Sequence, residues 1–124
     1  MKRATGIGGI FFKSEDPAKL QAWYEKHLGL PRDDHGGIMF VAEAGPTVWS
    51  AFKRDTTYFE PSTAPFMINY RVDDLHALLA ALRSEGVTVD DKVEEHDYGK
   101  FGWAIDPVGN RFELWEPPKG KPAF

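Results

Sequence analysis

Glu113 stands between Phe112 and Leu114 in the stretch FGWAIDPVGNRFELWEP, residues 101–117. A carboxylate in a run of large apolar and aromatic residues can ligate a metal, act as a general base, or accept hydrogen bonds inside a wall of aromatics. Residues that alternate along a strand share a face. Arg111 and Trp115 therefore accompany Glu113, and Phe112 and Leu114 point the other way. Each role for the carboxylate needs different company. A metal site needs further ligands, a base needs an acid partner, and a structural carboxylate needs donors.

The other groups able to do chemistry are few. The chain has no cysteine, which excludes disulfides, thiolate catalysis and Cys-ligated metal. Of the four histidines, His27 and His76 fall on helical stretches. His35 sits in a polar turn beside Asp33 and Asp34, and His96 lies among Glu94, Glu95 and Asp97. None is spaced as HxH or HxxxH. A net charge of -4 with scattered Lys and Arg excludes a basic nucleic-acid surface. No stretch has the length of a membrane span, and nothing resembles a signal segment, so a soluble cytoplasmic protein is expected. Aromatic residues make up 14% of the chain, including four Trp, enough to line a ligand pocket as well as fill a core.

The elements that must position these groups come in a repeated order. GIGGIFFK, residues 6–13, reads as a strand. Asp16-Pro17 starts a helix, because Asp accepts from orphan amides and Pro fits the first turn. Leu20, Trp23, Tyr24, His27 and Leu28 follow helical spacing, and Gly29 ends the helix. Ile38 to Val41 and Thr47 to Phe52 read as strands around Gly45-Pro46, followed by a polar loop from Lys53 to Pro65 in which Thr57-Tyr58-Phe59 can pair briefly. The order then recurs. Phe66 to Val72 is a strand, and Asp73 or Asp74 caps a helix with Leu75, Leu78, Leu79 and Leu82 on its apolar face. Gly86 ends that helix, and Val87–Glu95, Phe101–Ile105 and Arg111–Glu116 are strands. Asp106-Pro107-Val108-Gly109 reads as the turn between the last two. One domain over 1–124 is expected, with modules at about 5–60 and 65–117 and a Pro- and Lys-rich tail at 118–124.

Asp16-Pro17, Tyr24 with Leu28-Gly29-Leu30, Val72-Asp73-Asp74-Leu75, and Asp106-Pro107-Val108-Gly109-Asn110 leading to Glu113-Leu114 occur in an order that resembles the vicinal oxygen chelate superfamily. This is the group of glyoxalase I, extradiol dioxygenases, and the bleomycin and fosfomycin resistance proteins. The resemblance implies an α+β fold in which two βαβββ modules form a curved, mostly antiparallel sheet around a cup, with the helices outside. It also implies metal-ligand positions on the first and last strands of each module, which correspond to Gly9, Trp49, Met67 and Glu113. Only Glu113 keeps a ligating side chain: glycine offers none, Trp does not ligate, and a thioether suits these ions poorly. No cofactor is therefore expected, a divalent metal at Glu113 being the departure from that expectation.

In such a cup the resemblance turns Phe101 and Trp103 inward. Alternation groups Met67 with Asn69 and Arg71, and Gly9 with Phe11 and Lys13. The expected ligand-binding wall is thus Phe11, Trp49, Met67, Asn69, Phe101, Trp103, Arg111 and Glu113, apolar with a few orienting polar groups. Glu113 pairs a ligand cation, acts as a base with Tyr98, Arg111 or His96, or accepts from Arg111, Asn69 or Tyr98 as a structural remnant with the aromatics closed over it. The first function expected is metal-independent binding of a small amphipathic aromatic or cationic molecule. The alternative is a glyoxalase-like lyase or isomerase using Glu113 as general base, with or without a metal. Open sheet edges and the resemblance both imply a homodimer. Neither nucleic acid nor membrane is an expected partner.

Overall fold

The computed structural model describes residues 10–41 and 47–120. The chain divides into two compact units, Met1–Ala51 and Phe52–Phe124.

In the first unit, helix α1 (Pro17–Leu28) starts where the sequence places it. Asp16 Oδ1 accepts from the Lys19 amide at 3.1 Å. Leu20 and Tyr24 are the buried residues of the helix. Gly29 closes it in the left-handed conformation, φ 65°, with its N–H returned to the Glu25 carbonyl. Beyond it, Asp33 Oδ1 accepts from the amides of His35 and Gly37, so His35 belongs to the aspartate turn the sequence suggests.

Among the described residues, the strands expected in this unit are not formed. Gly6 to Gly9 and residues 42–46 lie outside the described residues. Ile10–Lys13, Ile38–Val41 and Thr47–Phe52 take no regular strand structure beyond an isolated antiparallel bridge between Arg32 and Ile38. β-propensity expresses packing on a sheet rather than an intrinsic backbone preference. Here Phe11, Phe40, Val41 and Trp49 are exposed, without the packing that would make their residue types count.

The second unit is a complete βαβββ arrangement. It contains β1 (Ile68–Arg71), α2 (Leu75–Ser84), β2 (Thr88–Val89), β3 (Glu94–His96), β4 (Gly99–Ile105) and β5 (Arg111–Glu116). The sheet runs β1-β5-β4-β2, with β3 also on β4; β1 is parallel to β5 and the other pairs are antiparallel. The α+β class is as expected. β2 and β3 are the single expected strand Val87–Glu95 in two pieces. Asp90 breaks it: its N–H still bonds the Trp103 carbonyl at 2.9 Å, but its Oδ1 takes the Lys92 amide and turns the chain off the sheet.

One face of this sheet carries α2. Leu75, Leu79 and Leu82 are buried, as are Ala104, Phe112 and Leu114. Each large apolar side chain so buried contributes roughly 1.5–3 kcal/mol. Gly102 admits the helix: a Cβ there would lie 3.0 Å from Leu79 Cδ1. Asp74 caps α2 through the Ala77 amide, and the buried Glu116 takes the Leu75 amide at 2.8 Å, tying the start of the helix to the end of β5. Among the described residues no helix is long and apolar enough to cross a membrane.

The turn from β4 to β5 is built by Asp106. Its carbonyl accepts from Gly109, and its Oδ1 accepts from the amides of Val108 and Asn110 at 3.0 and 2.9 Å. At the other end of β4, Gly99 has φ 131°, and a Cβ there would lie 2.3 Å from Trp115 Nε1 and 2.6 Å from the Glu116 carbonyl. Backbone rather than a flexible tip blocks that position. Gly99→Ala should therefore lower unfolding stability in urea by about 2 kcal/mol or more. Gly86→Ala, with φ 81° but open space around the added Cβ, should lose only about 1 kcal/mol. Equal losses would show that packing against Trp115 is not the constraint at Gly99.

Candidate functional site

The face of the sheet opposite α2 holds the chemistry. The register places Asn69, Glu113 and Trp103 in one row across β1, β5 and β4, and Arg71, Trp115 and Phe101 in the next. Glu113 is 8% exposed and Trp103 is 1% exposed. Asn69, on the edge strand, is open to solvent.

A buried carboxylate must have its lone pairs met, and here three neutral donors meet them. Asn69 Nδ2 donates to Oε1 at 2.7 Å. Trp103 Nε1 donates to Oε2 at 2.9 Å, and the Tyr58 hydroxyl donates to the same oxygen. Burial, then the hydrogen bond to Glu113 and its negative charge, push the Tyr58 phenol well above the ordinary tyrosine range. The phenol thus holds its proton on the carboxylate. The Tyr58 ring stands edge-on to Trp103 at 6.0 Å and stacks on Phe52 at 5.5 Å, with Phe59 beside both.

Arg111 shares the face without reaching the carboxylate. Its guanidinium lies over the Trp103 ring at 5.1 Å and bonds Asp90 Oδ2 at 3.0 Å. The Lys92 amide and then Arg111 hold the Asp90 carboxyl below the usual carboxylate range. Of the donors considered for Glu113 as a structural carboxylate, Asn69 reaches it and Arg111 instead bonds Asp90, because the turn at Asp90 brings that carboxylate alongside β5. Tyr98 does not reach Glu113 either. Its carbonyl accepts from Trp115 Nε1 at 2.9 Å, and its exposed ring stacks on His96 at 4.8 Å. His96 bonds Glu94 at 2.9 Å and lines a shallow cleft with Glu95, Lys100 and Glu116, so it is no partner for Glu113.

Of the expected wall, Asn69, Trp103 and Glu113 are brought into contact, and Arg111 lies against Trp103. Phe101 stacks on Trp115 at 6.3 Å, one row along. Met67 precedes β1 and is half-buried. Phe11 is 92% exposed and Trp49 78% exposed, and neither lies in a regular strand. Lys13 is exposed, and Gly9 lies outside the described residues. Tyr58 is the residue the sequence reading missed. Its only signal was an aromatic cluster, Phe52, Tyr58 and Phe59, flanking an otherwise polar loop.

The donor set does not fit the metal that the resemblance implies. The atoms placed on the Glu113 oxygens are an amide N–H, an indole N–H and a phenol O–H. Two of these cannot ligate through the contacting atom, and the phenol is held in its neutral form. Among the described residues no three His, Cys, Asp or Glu side chains form a group able to hold a metal ion.

Comparison with known proteins agrees with this architecture. The profile of the glyoxalase-like domain matches residues 9–115. Among solved structures, lactoylglutathione lyase from Agrobacterium tumefaciens is similar at 17% identity over 93% of this chain and 96% of that one, TM-score 0.54. A member of the glyoxalase/bleomycin resistance protein/dioxygenase superfamily from Sphaerobacter thermophilus is 18% identical over 83% and 90%, TM-score 0.50. A shorter match spans 52% of this chain and 52% of a glyoxalase family protein from Enterococcus faecalis, at 21% identity and TM-score 0.39. At these identities the structures speak for the fold alone. No curated protein sequence matches the chain.

The raised Tyr58 pKa carries a pH signature with a definite sign. The fold favours the neutral phenol, so this contribution to stability is complete below the unfolded-state value of about 10 and is lost as pH rises above it. Wild-type stability should fall from about pH 10 upward, and Tyr58→Phe should flatten that fall. Near neutral pH the same substitution should cost about 1–2 kcal/mol, the range for a lost bond to a charged acceptor with one partner half-exposed. Absorbance titration of the phenolates should show one of the four tyrosines ionising last in the wild type and missing in Tyr58→Phe. Identical alkaline profiles would remove the phenol from the carboxylate.

Proposed function

The chain belongs to the glyoxalase-like domain family, and within it we propose a metal-independent small-molecule-binding protein. Its ligand is a small amphipathic molecule, aromatic or cationic, held against the Glu113 face of the β5–β4 sheet. One observation carries this reading. The carboxylate at the family's last ligand position is embedded in hydrogen-bond donors and aromatic rings, the make-up of an organic ligand's site. Trp103 and Trp115 supply apolar area, Asn69 supplies an exposed polar edge, and Arg111 over Trp103 adds a fixed positive charge. Exposed apolar side chains, Phe11, Val41 and Trp49 among them, support a homodimer.

A second reading rests on the Tyr58–Glu113 hydrogen bond. A phenol hydrogen-bonded to a carboxylate puts a proton donor beside a base, and in lyase or isomerase chemistry Glu113 would accept the proton, the raised phenol pKa opposing donation by Tyr58. Lactoylglutathione lyase is the named activity of one structural neighbour.

A thermal-shift screen with aromatic amines and quaternary ammonium compounds separates the two readings. A ligand present at a hundred times its Kd should stabilise the wild type by about 2.7 kcal/mol, with no change on adding a chelator. Glu113→Gln should weaken binding and leave no turnover to lose. Stoichiometric divalent metal bound through Glu113 in the purified protein would sink the metal-independent reading. Turnover of a carbonyl substrate that vanishes in Glu113→Gln while binding persists would establish the enzyme instead.

A further inference from the structure

We infer that Tyr58 occupies the ligand's own position, so that the site takes an arene bearing a hydrogen-bond-donating hydroxyl and opens when that arene displaces the Tyr58 side chain. This rests on the small-molecule reading and specifies its ligand class. The contacts of Tyr58 are those a bound phenol would make. Its hydroxyl donates to Glu113 Oε2, its ring meets the Trp103 edge at 6.0 Å, and Phe52 stacks on its face. The carboxylate oxygen that holds it also accepts from Trp103 Nε1, so the acceptor and the Trp103 ring are set by the sheet, while Phe52 belongs to the Tyr58 segment.

The segment that carries Tyr58 is built to leave. Residues 52–67 contain neither helix nor strand. The backbone bonds Thr56 N to Lys53 O, Glu60 N to Thr57 O and Ser62 N to Phe59 O close turns within residues 53–62, the part of the segment that carries Tyr58. Tyr58 is half-buried and Phe52 is 51% exposed, whereas Trp103 beneath them is 1% exposed. Opening breaks the Glu113 hydrogen bond and uncovers the Trp103 ring, and an entering hydroxyarene restores both contacts with the sheet. A hydrocarbon arene restores only the rings and leaves a buried carboxylate oxygen short of a donor.

The test uses p-cresol and toluene, which reproduce the Tyr and Phe side chains, with binding read by calorimetry and thermal shift. Apparent affinity falls with the fraction of molecules whose site is open. Tyr58→Phe, which keeps the ring and removes the bond, should bind p-cresol about tenfold more tightly than the wild type. Tyr58→Gly should bind it more tightly still, preferring p-cresol to toluene by at least about tenfold, a preference that Glu113→Gln in that background abolishes. Equal p-cresol affinity in wild type and Tyr58→Phe, or toluene binding Tyr58→Gly as well as p-cresol, overturns the inference. The Tyr58→Phe comparison decides the matter even if Tyr58→Gly does not fold. The parent reading fails separately. Aromatic amines or quaternary ammonium compounds that stabilise the wild type, with p-cresol bound equally by wild type and Tyr58→Phe, keep that reading and overturn this inference, whereas stoichiometric metal at Glu113 overturns the parent reading.

Discussion

A carboxylate in the middle of a buried strand sets the terms for the rest of the second unit. Leaving the Glu113 charge unmet would cost several kcal/mol, and its donors come from three different parts of the chain. Asn69 is on β1, Trp103 on β4 and Tyr58 on the segment ahead of β1. A one-residue slip of β1 or β4 against β5 would turn Asn69 or Trp103 to the helix face and strip the carboxylate of that donor. The side chain that marks the site therefore also specifies the register of the strands around it.

The opposite face makes the complementary demand. Phe112 and Leu114 flank Glu113 in sequence and point to α2, where Leu75 and Leu79 close over them beside Gly102. Alternation on one strand separates an apolar interface from a polar site without any change of element. Glu116 shows the same economy, a buried carboxylate satisfied by the first amide of α2. The two acidic side chains of β5 differ in what they accept from: Glu116 takes a backbone amide of an adjoining element, and Glu113 takes side-chain donors.

The legible parts were those governed by neighbours in sequence. Asp16-Pro17 and Gly29 bound α1, Asp74 caps α2, and Asp106 to Gly109 make the turn before β5, each through bonds spanning a few residues. The sharing of a face by Arg111, Glu113 and Trp115 followed from strand alternation in the same way. The failures involve partners distant in sequence. Nothing local says that Arg111 pairs with Asp90 rather than Glu113, since that depends on where the break between β2 and β3 falls. Strand formation around Phe11 and Trp49 likewise depends on a sheet to join, and neither residue lies in a regular strand.

With the α+β class implied by the resemblance, the sequence alone determined the second unit's first strand, its helix, its last two strands with the turn between them, and Glu113 as the carboxylate to watch. Such features depend on spacing and on short-range hydrogen bonds, which are written into adjacent residues. Only the tertiary structure decided which donors Glu113 accepts from, because its surroundings are assembled across the sheet. The Tyr58 hydroxyl reaches it from 55 residues away, through a segment with no regular structure to announce its course. Desolvation and the acceptor's charge, neither visible in a residue string, then keep that phenol protonated on the carboxylate.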